Sequence, residues 1–266
     1  MDKKVDLDHA LQVARAAAAE AGALLMEGLG QEIHVQNKGS IDLVTQWDQR
    51  SEALVVGRLR QAFPDHLVVA EEGTGTESGG ASAPARWYVD PLDGTTNYAH
   101  RLPIFAVSIA LELDGVLSVG VVFVPGMGWE FYATAGGGAW LNGARLQVSS
   151  TPDLLHGMVA TGFPYDRRTS ADNNLNRVAR IMPEVQGLRR LGVAALDCAL
   201  VAWGRLDAYW EAKVKPWDVA AGTLLVREAG GVVSNLEGGE LDLRRGRILA
   251  TNGLVHEQML GLLAGT

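Results

Sequence analysis

The 266-residue sequence lacks the features on which several classes of protein depend. Cys198 is its only cysteine, which excludes an internal disulfide bond and a thiolate metal cluster and is compatible with a reducing cytosol. No stretch reaches the roughly 18 consecutive apolar residues of a membrane-spanning helix. The Ala-rich N-terminus is interrupted by Asp8, Arg15 and Glu20, so it lacks a continuous secretory apolar segment. We therefore expect a cytoplasmic protein that does not associate with membranes.

Positive charge is also scarce. Lys and Arg total 23 against 31 Asp and Glu, which gives a formal net charge of −8. Since no basic run is long enough to follow a phosphate backbone, we expect no direct binding of nucleic acid. An acidic protein that handles anionic phosphate needs local positive charge, and bound cations would supply it. The charge balance therefore favours a metal-dependent protein.

Several catalytic motifs are absent. The sequence has no Gly-rich Walker loop, no G-x-S-x-G elbow and no G-x-G-x-x-G after a strand. These absences argue against nucleotide hydrolysis, serine catalysis and a dinucleotide cofactor. The six histidines are scattered along the chain without the close spacing of a zinc site.

Hydrophobic periodicity and turn residues predict a mixture of helices and strands. The predicted helices cover 7–29, 47–62, 170–182, 194–204, 217–229 and the chain from 254. The predicted strands cover 67–71, 87–90, 158–162, 206–211, 247–252 and an antiparallel region over 104–135 with a hairpin turn at Asp114-Gly115. The polar stretch 73–85 is predicted to be a mobile loop.

This order of elements predicts an α/β (α+β) protein with stacked layers of helices and sheets. We find no fixed repeat and no linker that forces a domain boundary. The chain is therefore expected to form a single unit over 1–266. A division near 140–155 would give subdomains 1–145 and 146–266.

The segment 89–98, VDPLDGTTNY, carries two acids at the end of a predicted strand. Asp90 and Asp93 have a spacing at which both carboxylates can bind one hard cation, and the carbonyl of Leu92 can add a ligand. The backbone N–H groups of residues 94–95 could face an anion. A capped turn is the structural alternative, because Asp and Gly-Thr are ordinary helix-start residues.

Acids at two further positions could likewise bind a metal ion or have an ordinary structural role. Glu71 and Glu72 follow a strand and precede a polar loop, so one of them could reach the same cations, or both could simply be solvated. Asp218 lies in the first turn of the apolar helix within 215–231, where an acid is favourable for the helix dipole in any case. Only the combination of these acids favours a metal site.

A polar cluster is formed by Lys38 and the segment 42–48. Thr45 and Asp48 in this segment could share a water molecule. Their spacing is equally typical of a helix cap and its flank.

The two segments 87–100 (WYVDPLDGTTNYAH) and 217–231 (WDVAAGTLLVREAGG) closely resemble the two diagnostic motifs of the inositol monophosphatase family. The likeness extends through 38–48, 69–73 and 192–211, and thus covers nearly the whole chain. It implies a layered αβαβα sandwich of the inositol monophosphatase/fructose-1,6-bisphosphatase type. It also implies a homodimer, dependence on two to three Mg²⁺ ions and inhibition by lithium.

Carried over position by position, the resemblance implies specific roles. The implied metal ligands are Glu71, Asp90, the carbonyl of Leu92, Asp93 and Asp218. The implied catalytic residues are Glu71 and Thr95, which position the attacking water, with Thr45 and Asp48 as a supporting pair. The implied substrate-binding residues are Asp93, Gly94, Thr95, Thr96, Arg189, Gly192, Val193, Ala194, Glu211 and Asp218.

The implied chemistry is physically coherent. Two cations about 3.5–4 Å apart can offset phosphate charge, activate a water and stabilise the departing alkoxide. We therefore expect a Mg²⁺-dependent phosphomonoesterase that hydrolyses inositol monophosphate. Related phosphatases act on fructose bisphosphate, phosphoadenosine phosphates or histidinol phosphate. Residues 94–97, Gly-Thr-Thr-Asn, look like the inositol type, and Glu211 agrees with a polyol substrate. A mainly regulatory interaction protein is the alternative from another class.

Overall fold

The computed structural model describes residues 5–38, 41–74 and 84–264. The helices are α1 (Leu7–Leu29), α2 (Gln46–Ala62), α3 (Thr95–Ala99), α4 (Leu175–Ile181), α5 (Ala194–Ala202), α6 (Pro216–Glu228) and α7 (His256–Ala264). The strands are β1 (Val35–Asn37), β2 (Leu43–Thr45), β3 (Leu67–Ala70), β4 (Ala85–Asp93), β5 (Ala106–Leu113), β6 (Val116–Val124), β7 (Trp129–Thr134), β8 (Gly138–Leu141), β9 (Ala144–Arg145), β10 (Met158–Thr161), β11 (Gly187–Arg189), β12 (Ala208–Ala212), β13 (Val232–Ser234) and β14 (Arg247–Thr251). Most of the loop predicted over 73–85 lies outside the described residues.

The larger sheet has seven strands in the order β3-β4-β5-β6-β7-β8-β9. Only β3 and β4 are parallel, and the predicted turn at Asp114-Gly115 joins β5 to β6. Because successive side chains of a strand point to opposite faces, Ile109 of β5 packs towards α1 and α2, while Ala110 packs towards α5 and α6. This sheet is therefore covered by helices on both faces.

The smaller sheet has five strands in the order β11-β10-β12-β14-β13. Tyr209 of β12 packs into the core that contains α5 and α6, whereas Trp210 packs on the other side with Ile181 of α4 and Met259 of α7. The layers are thus α1/α2, large sheet, α5/α6, small sheet and α4/α7. This order confirms the predicted α/β (α+β) class and its αβαβα sandwich.

Helix α4 is shorter than the helix predicted over 170–182. Asn174 adopts a left-handed backbone with φ of 72°, and its buried side-chain amide donates to Thr161 Oγ1 at 2.8 Å. Asn tolerates this conformation and bonds locally, so the helix begins only after it. The three-residue strands β1, β2, β11 and β13 were not predicted, because they are too short to show alternation.

Strands of the large sheet lie within 67–145 and those of the small sheet within 158–251. Helices α5 and α6 pack against both sheets, and one buried hydrophobic cluster includes residues from both. The division into 1–145 and 146–266 therefore stays a prediction. None of the helices in the described ranges has the length and apolarity needed to cross a bilayer.

Candidate active site

Two acids stand at the carboxyl end of β4. The pairing of β4 with β5 shifts register between Asp90 and Asp93. Asp90 Oδ1 accepts a hydrogen bond from Leu92 N at 3.0 Å, and Asp93 Oδ2 accepts one from Ala195 N at 2.7 Å. Asp90 is 2% exposed and Asp93 9% exposed. The irregular strand end therefore buries both carboxylates beside the first turn of α5.

Glu71 reaches the same place from the neighbouring strand. It directly follows β3, which runs parallel to β4, and its N–H donates to the carbonyl of Val89. The carboxyl ends of parallel neighbours meet at one edge of a sheet, which brings Glu71 beside Asp90. Lys38 Nζ lies 3.2 Å from Glu71 Oε1 and also pairs with Glu72.

Asp218 comes from the other half of the chain. It lies in the first turn of α6, where its Oδ2 accepts a hydrogen bond from Lys215 N at 2.7 Å. It lines the same cavity as Asp90, and its charge contributes to the raised pKa of Asp90. The N-termini of α5 and α6 thus hold Asp93 and Asp218 respectively, as expected for acids at the positive end of a helix dipole.

The hydroxyl of Thr95 contacts Asp48 in the first turn of α2. It lies 2.9 Å from Asp48 Oδ1 and 3.1 Å from the carbonyl of Leu92, so its single proton goes to one of these acceptors at a time. Asp48 Oδ2 accepts from Thr45 Oγ1 at 2.6 Å and from Thr45 N at 2.8 Å. Asp48 is fully buried. The Thr45–Asp48 capping box of α2 therefore also orients the Thr95 hydroxyl.

These groups open into one cavity of about 440 Å³. Its lining includes four of the acids named above, the turn 192–194 and Glu211 of β12; the four acids are Glu71, Asp90, Asp93 and Asp218. Gly94 has a φ of 98°, and a Cβ at this position would lie 2.9 Å from Val193 Cγ2. The close approach of the two loops that carry Gly94 and Val193 therefore requires glycine.

Burial and mutual repulsion raise the pKa values of the acids that line the cavity. Burial, with the charges of Glu71 and Asp93, raises the pKa of Asp90 well above its ordinary value. Burial, with the charge of Asp218, does the same to the pKa of Asp93. Burial raises the pKa of Glu71 to about 7 against the opposing charge of Lys38, and burial raises the pKa of Asp218 to about 7. Each shift shows that the cluster favours added positive charge, as protons or as cations.

The donor set fits a hard divalent cation. Four carboxylates and the Leu92 carbonyl offer only oxygen atoms, which is the ligand type of Mg²⁺ or Ca²⁺ rather than of zinc. Within the described ranges, no three His, Cys, Asp or Glu side chains already converge on a single point. Asp93 and Asp218 each accept a backbone N–H through Oδ2 alone, and Glu71 pairs with Lys38 through Oε1, so each keeps a second carboxylate oxygen for a cation. Cation binding would relieve the repulsion that raises their pKa values.

A sequence profile of the inositol monophosphatase family matches residues 6–265, almost the whole chain. The chain belongs to the inositol monophosphatase family. It is 44% identical over 262 residues to an inositol-1-monophosphatase of Synechocystis, covering 98% of this chain and 91% of the relative. It is 43% identical over 252 residues to the Nus factor SuhB of Escherichia coli K12, covering 94% of each chain.

Solved structures agree with this assignment. The structure of an inositol monophosphatase from Anabaena (Nostoc) superposes with a TM-score of 0.89 at 42% identity, covering 97% of this chain and 96% of the other. The family consists of metal-dependent phosphatases. The chain is accordingly a phosphatase of the inositol monophosphatase family.

Most residues implied by the family resemblance meet in the cavity. Those that line it are Glu71, Asp90, Leu92, Asp93, Gly94, Thr95, Gly192, Val193, Ala194, Glu211 and Asp218. Thr45 and Asp48 lie behind Thr95 and do not line the cavity, and neither does Thr96, which is exposed. The sequence-based placement of the inositol monophosphatase motifs thus agrees with the geometry, while the role of each residue stays a prediction.

Arg189 is not part of the cavity lining. It is exposed on β11, where its Nη1 donates to the carbonyl of Leu188. The adjacent Arg190 lines the cavity instead, and its charge acts on Glu211. Which of two consecutive arginines faces inward depends on strand register and on the turn at Gly192, so neither composition nor spacing distinguishes them.

Other lining residues carry no motif signal at all. Sequence reasoning did not select Phe163, Pro164, Tyr165, Asp166, Lys213 or Val214, all of which line the cavity. The segment 163–166 is an irregular connection after β10, and nothing in its composition indicates a position beside the acids. Only the packing of the small sheet against the large one brings it there.

A substitution at Gly162 tests whether Glu211 contacts the substrate. A Cβ at Gly162 would lie 1.9 Å from Glu211 Oε2, whereas Tyr209 Oη holds that same oxygen at 2.8 Å. We expect Gly162→Ala to displace Glu211 and to raise KM for a polyol phosphate about tenfold, with a smaller change in kcat, as expected for the loss of one hydrogen-bonding contact. Steady-state kinetics measures this split.

Gly57 supplies the matched control. It lies in α2, and a Cβ there meets no atom within 4 Å. Gly57→Ala makes the same chemical change in open space, so its kinetics should equal those of the wild type. Equal KM values for Gly162→Ala and Gly57→Ala would show that Glu211 does not contact the substrate.

Proposed function

We propose that the chain hydrolyses inositol monophosphate to inositol and inorganic phosphate, with two to three Mg²⁺ ions held by Glu71, Asp90, the Leu92 carbonyl, Asp93 and Asp218. The observation that carries this proposal is the convergence of acids from three distant segments on one cavity beside Thr95. When bound, Mg²⁺ would offset the charge of the phosphate ester and lower the pKa of the attacking water.

The residues around Thr95 would orient the water. Asp48 or the Leu92 carbonyl accepts the hydroxyl proton of Thr95, which leaves an oxygen lone pair of Thr95 free to accept a hydrogen bond from water. The Glu71 carboxylate can accept a hydrogen bond from the other O–H of that water. A water held between Thr95 and Glu71 would be aligned for attack on phosphorus.

The phosphate and the alcohol would occupy different parts of the cavity. The backbone N–H groups of the segment 94–96 would receive the phosphate oxygens. Glu211 and the turn 192–194 would face the hydroxyl groups of the polyol. This division accounts for a site of acids and small residues without a nucleophilic side chain, because the chemistry needs positioning and charge stabilisation.

A phosphate-release assay tests the proposal. The substrates are inositol monophosphate, fructose 1,6-bisphosphate, a phosphoadenosine phosphate and histidinol phosphate, each with Mg²⁺ and with EDTA. We expect Mg²⁺-dependent release with the highest kcat/KM for inositol monophosphate, and none with EDTA. A higher value for another substrate would reassign the specificity, and inactivity on all four would contradict a phosphatase role.

A regulatory interaction is the second candidate, because one relative of 43% identity is named a Nus factor. The enzymatic role is favoured because every acid of the metal motif is present and lines the cavity.

We also propose a cytoplasmic homodimer that does not bind nucleic acid directly. The net charge of −8 supports the absence of direct nucleic-acid binding, and the single, buried cysteine is compatible with a reducing cytosol. The homodimer is what the family resemblance implies. Light scattering coupled to gel filtration would give the oligomeric state.

A further inference from the structure

The connection after β10 forms one wall of the cavity. Residues 163–166, here called the 163–166 wall, all line it, and they belong to neither of the two family motifs. Asp90 and Asp93 line the same cavity. The alcohol part of a molecule bound to those acids through its phosphate would therefore share the cavity with the 163–166 wall.

Tyr165 is the prominent side chain of this wall. It is 56% exposed, although large aromatic side chains are usually buried. Tyr165 lines the same cavity as Asp42, Glu71 and Asp218, and burial together with their charges raises the pKa of its phenol. Within the described part of the chain, this hydroxyl has no hydrogen-bond partner. Tyr165 thus presents both an aromatic ring and a free hydroxyl to the cavity.

A lysine holds the wall in place. Lys213 Nζ lies 2.9 Å and 2.7 Å from the two carboxylate oxygens of Asp166 and 2.7 Å from Ser170 Oγ. Lys213 stands between β12 and α6, so this contact connects the wall to the segment that runs from Glu211 to Asp218. Here the three contacts of Lys213 are called the Lys213 clamp.

The backbone at Lys213 is itself unusual. Its φ of 66° is in the left-handed region, which residues other than glycine rarely adopt. Since β-carbon contacts make this conformation costly, other interactions must hold it. The Lys213 clamp supplies such an interaction and fixes the direction of the side chain.

We infer that Tyr165 binds the alcohol part of the substrate, as a packing surface for the ring of a cyclic polyol, and that Lys213 and Asp166 position it. This inference rests on the proposed function and names the part of the site that distinguishes a cyclic polyol phosphate from a short open-chain one. The C–H groups of a cyclohexane polyol form an apolar face against which an aromatic ring packs, while its hydroxyls bond polar groups.

Two substitutions at Tyr165 separate the ring from the hydroxyl. We expect Tyr165→Ala to raise KM for inositol monophosphate about tenfold, as expected for the loss of one aromatic contact. KM for glycerol 2-phosphate should rise much less, and kcat should change less than twofold. Tyr165→Phe keeps the ring, so its KM should stay within about threefold of the wild type. An unchanged KM for inositol monophosphate in Tyr165→Ala, or equal losses on both substrates, would overturn the inference.

The Lys213 clamp is tested by three variants. Lys213→Met removes the charge, and Lys213→Gly removes the clamp while favouring the left-handed backbone. Both variants should raise KM for inositol monophosphate as Tyr165→Ala does, with a much smaller rise for glycerol 2-phosphate. Lys213→Arg keeps the charge, so its KM should lie close to the wild-type value. A normal KM in Lys213→Gly would show that Lys213 does not position the wall.

Arg168 gives the matched control. It is an exposed cation on the same connection, and within the described part of the chain its side chain makes no hydrogen bond or ion pair. Arg168→Met should therefore match the wild type on both substrates. If the wild type released no phosphate from either substrate, the phosphatase proposal and this inference would both fail. An active wild type with an unaffected Tyr165→Ala would overturn the inference alone.

Discussion

Asp93→Asn is expected to lower kcat for inositol monophosphate by about 10³-fold or more at saturating Mg²⁺, because it removes one charge from the proposed metal cage. The shape of the side chain is unchanged. The remaining carbonyl oxygen can still accept the hydrogen bond that Ala195 N donates to Asp93 Oδ2 at 2.7 Å. The fold should therefore be retained, and steady-state kinetics together with circular dichroism measures both effects.

Asp65→Asn is the control for this change. Asp65 is exposed between α2 and β3, away from the cavity, and the substitution removes the same charge. It should leave kcat and KM at wild-type values. A wild-type rate in Asp93→Asn would show that Asp93 does not bind a catalytic cation, and the proposed metal site would then be wrong.

The protein without divalent cations is expected to lose stability as the pH rises through 7. In the folded state, Glu71 and Asp218 have pKa values of about 7, against ordinary values of 4.5 and 3.8. The pKa values of these groups are higher in the folded state than in the unfolded state. Their contribution to the free energy of unfolding is therefore fully present below a pH of about 4 and is lost as the pH passes about 7. In EDTA, Tm should therefore be several degrees lower at pH 8 than at pH 5.5.

A divalent cation should reverse this loss. At pH 8 it binds the ionised acids of the folded state only, and a concentration of 100 Kd stabilises by about 2.7 kcal/mol. For a chain of this size, that free energy raises Tm by roughly 5–10 °C. Scanning calorimetry over pH with EDTA and with Mg²⁺ measures both effects.

Asp218→Asn should reduce both the fall of Tm between pH 5.5 and pH 8 in EDTA and the rise of Tm with Mg²⁺ at pH 8, because it removes one of the crowded charges and one cation ligand. Asp65→Asn again serves as the control and should keep the wild-type pH dependence. A Tm in EDTA that is equal or higher at pH 8 would contradict the pKa values of about 7 and the crowding that causes them.

Elements with long or alternating patterns were predicted well from the sequence. The apolar spacing of α1 and the hairpin turn at Asp114-Gly115 are local signals, and the structure has both. Short strands such as β11 and β13 were missed, because three residues do not establish a period. The N-terminus of α4 was placed too early, because the left-handed Asn174 is held by a distant contact to Thr161.

The sequence by itself determined which residue types the proposed chemistry can use: acids that offer oxygen atoms to a hard cation, a Gly-Thr segment beside them, and histidines without the close spacing of a zinc site. These properties follow from residue types and short spacings, which a linear pattern contains.

Only the tertiary structure decided which groups meet. Parallel pairing of β3 with β4 places Glu71 beside Asp90, and the packing of α6 brings Asp218 into the cavity that both line. Register turns Arg190 rather than Arg189 into the cavity, and Lys213 reaches Asp166 across 47 positions. The physical reason is that such contacts depend on side-chain direction and on packing between distant segments, which no local spacing specifies.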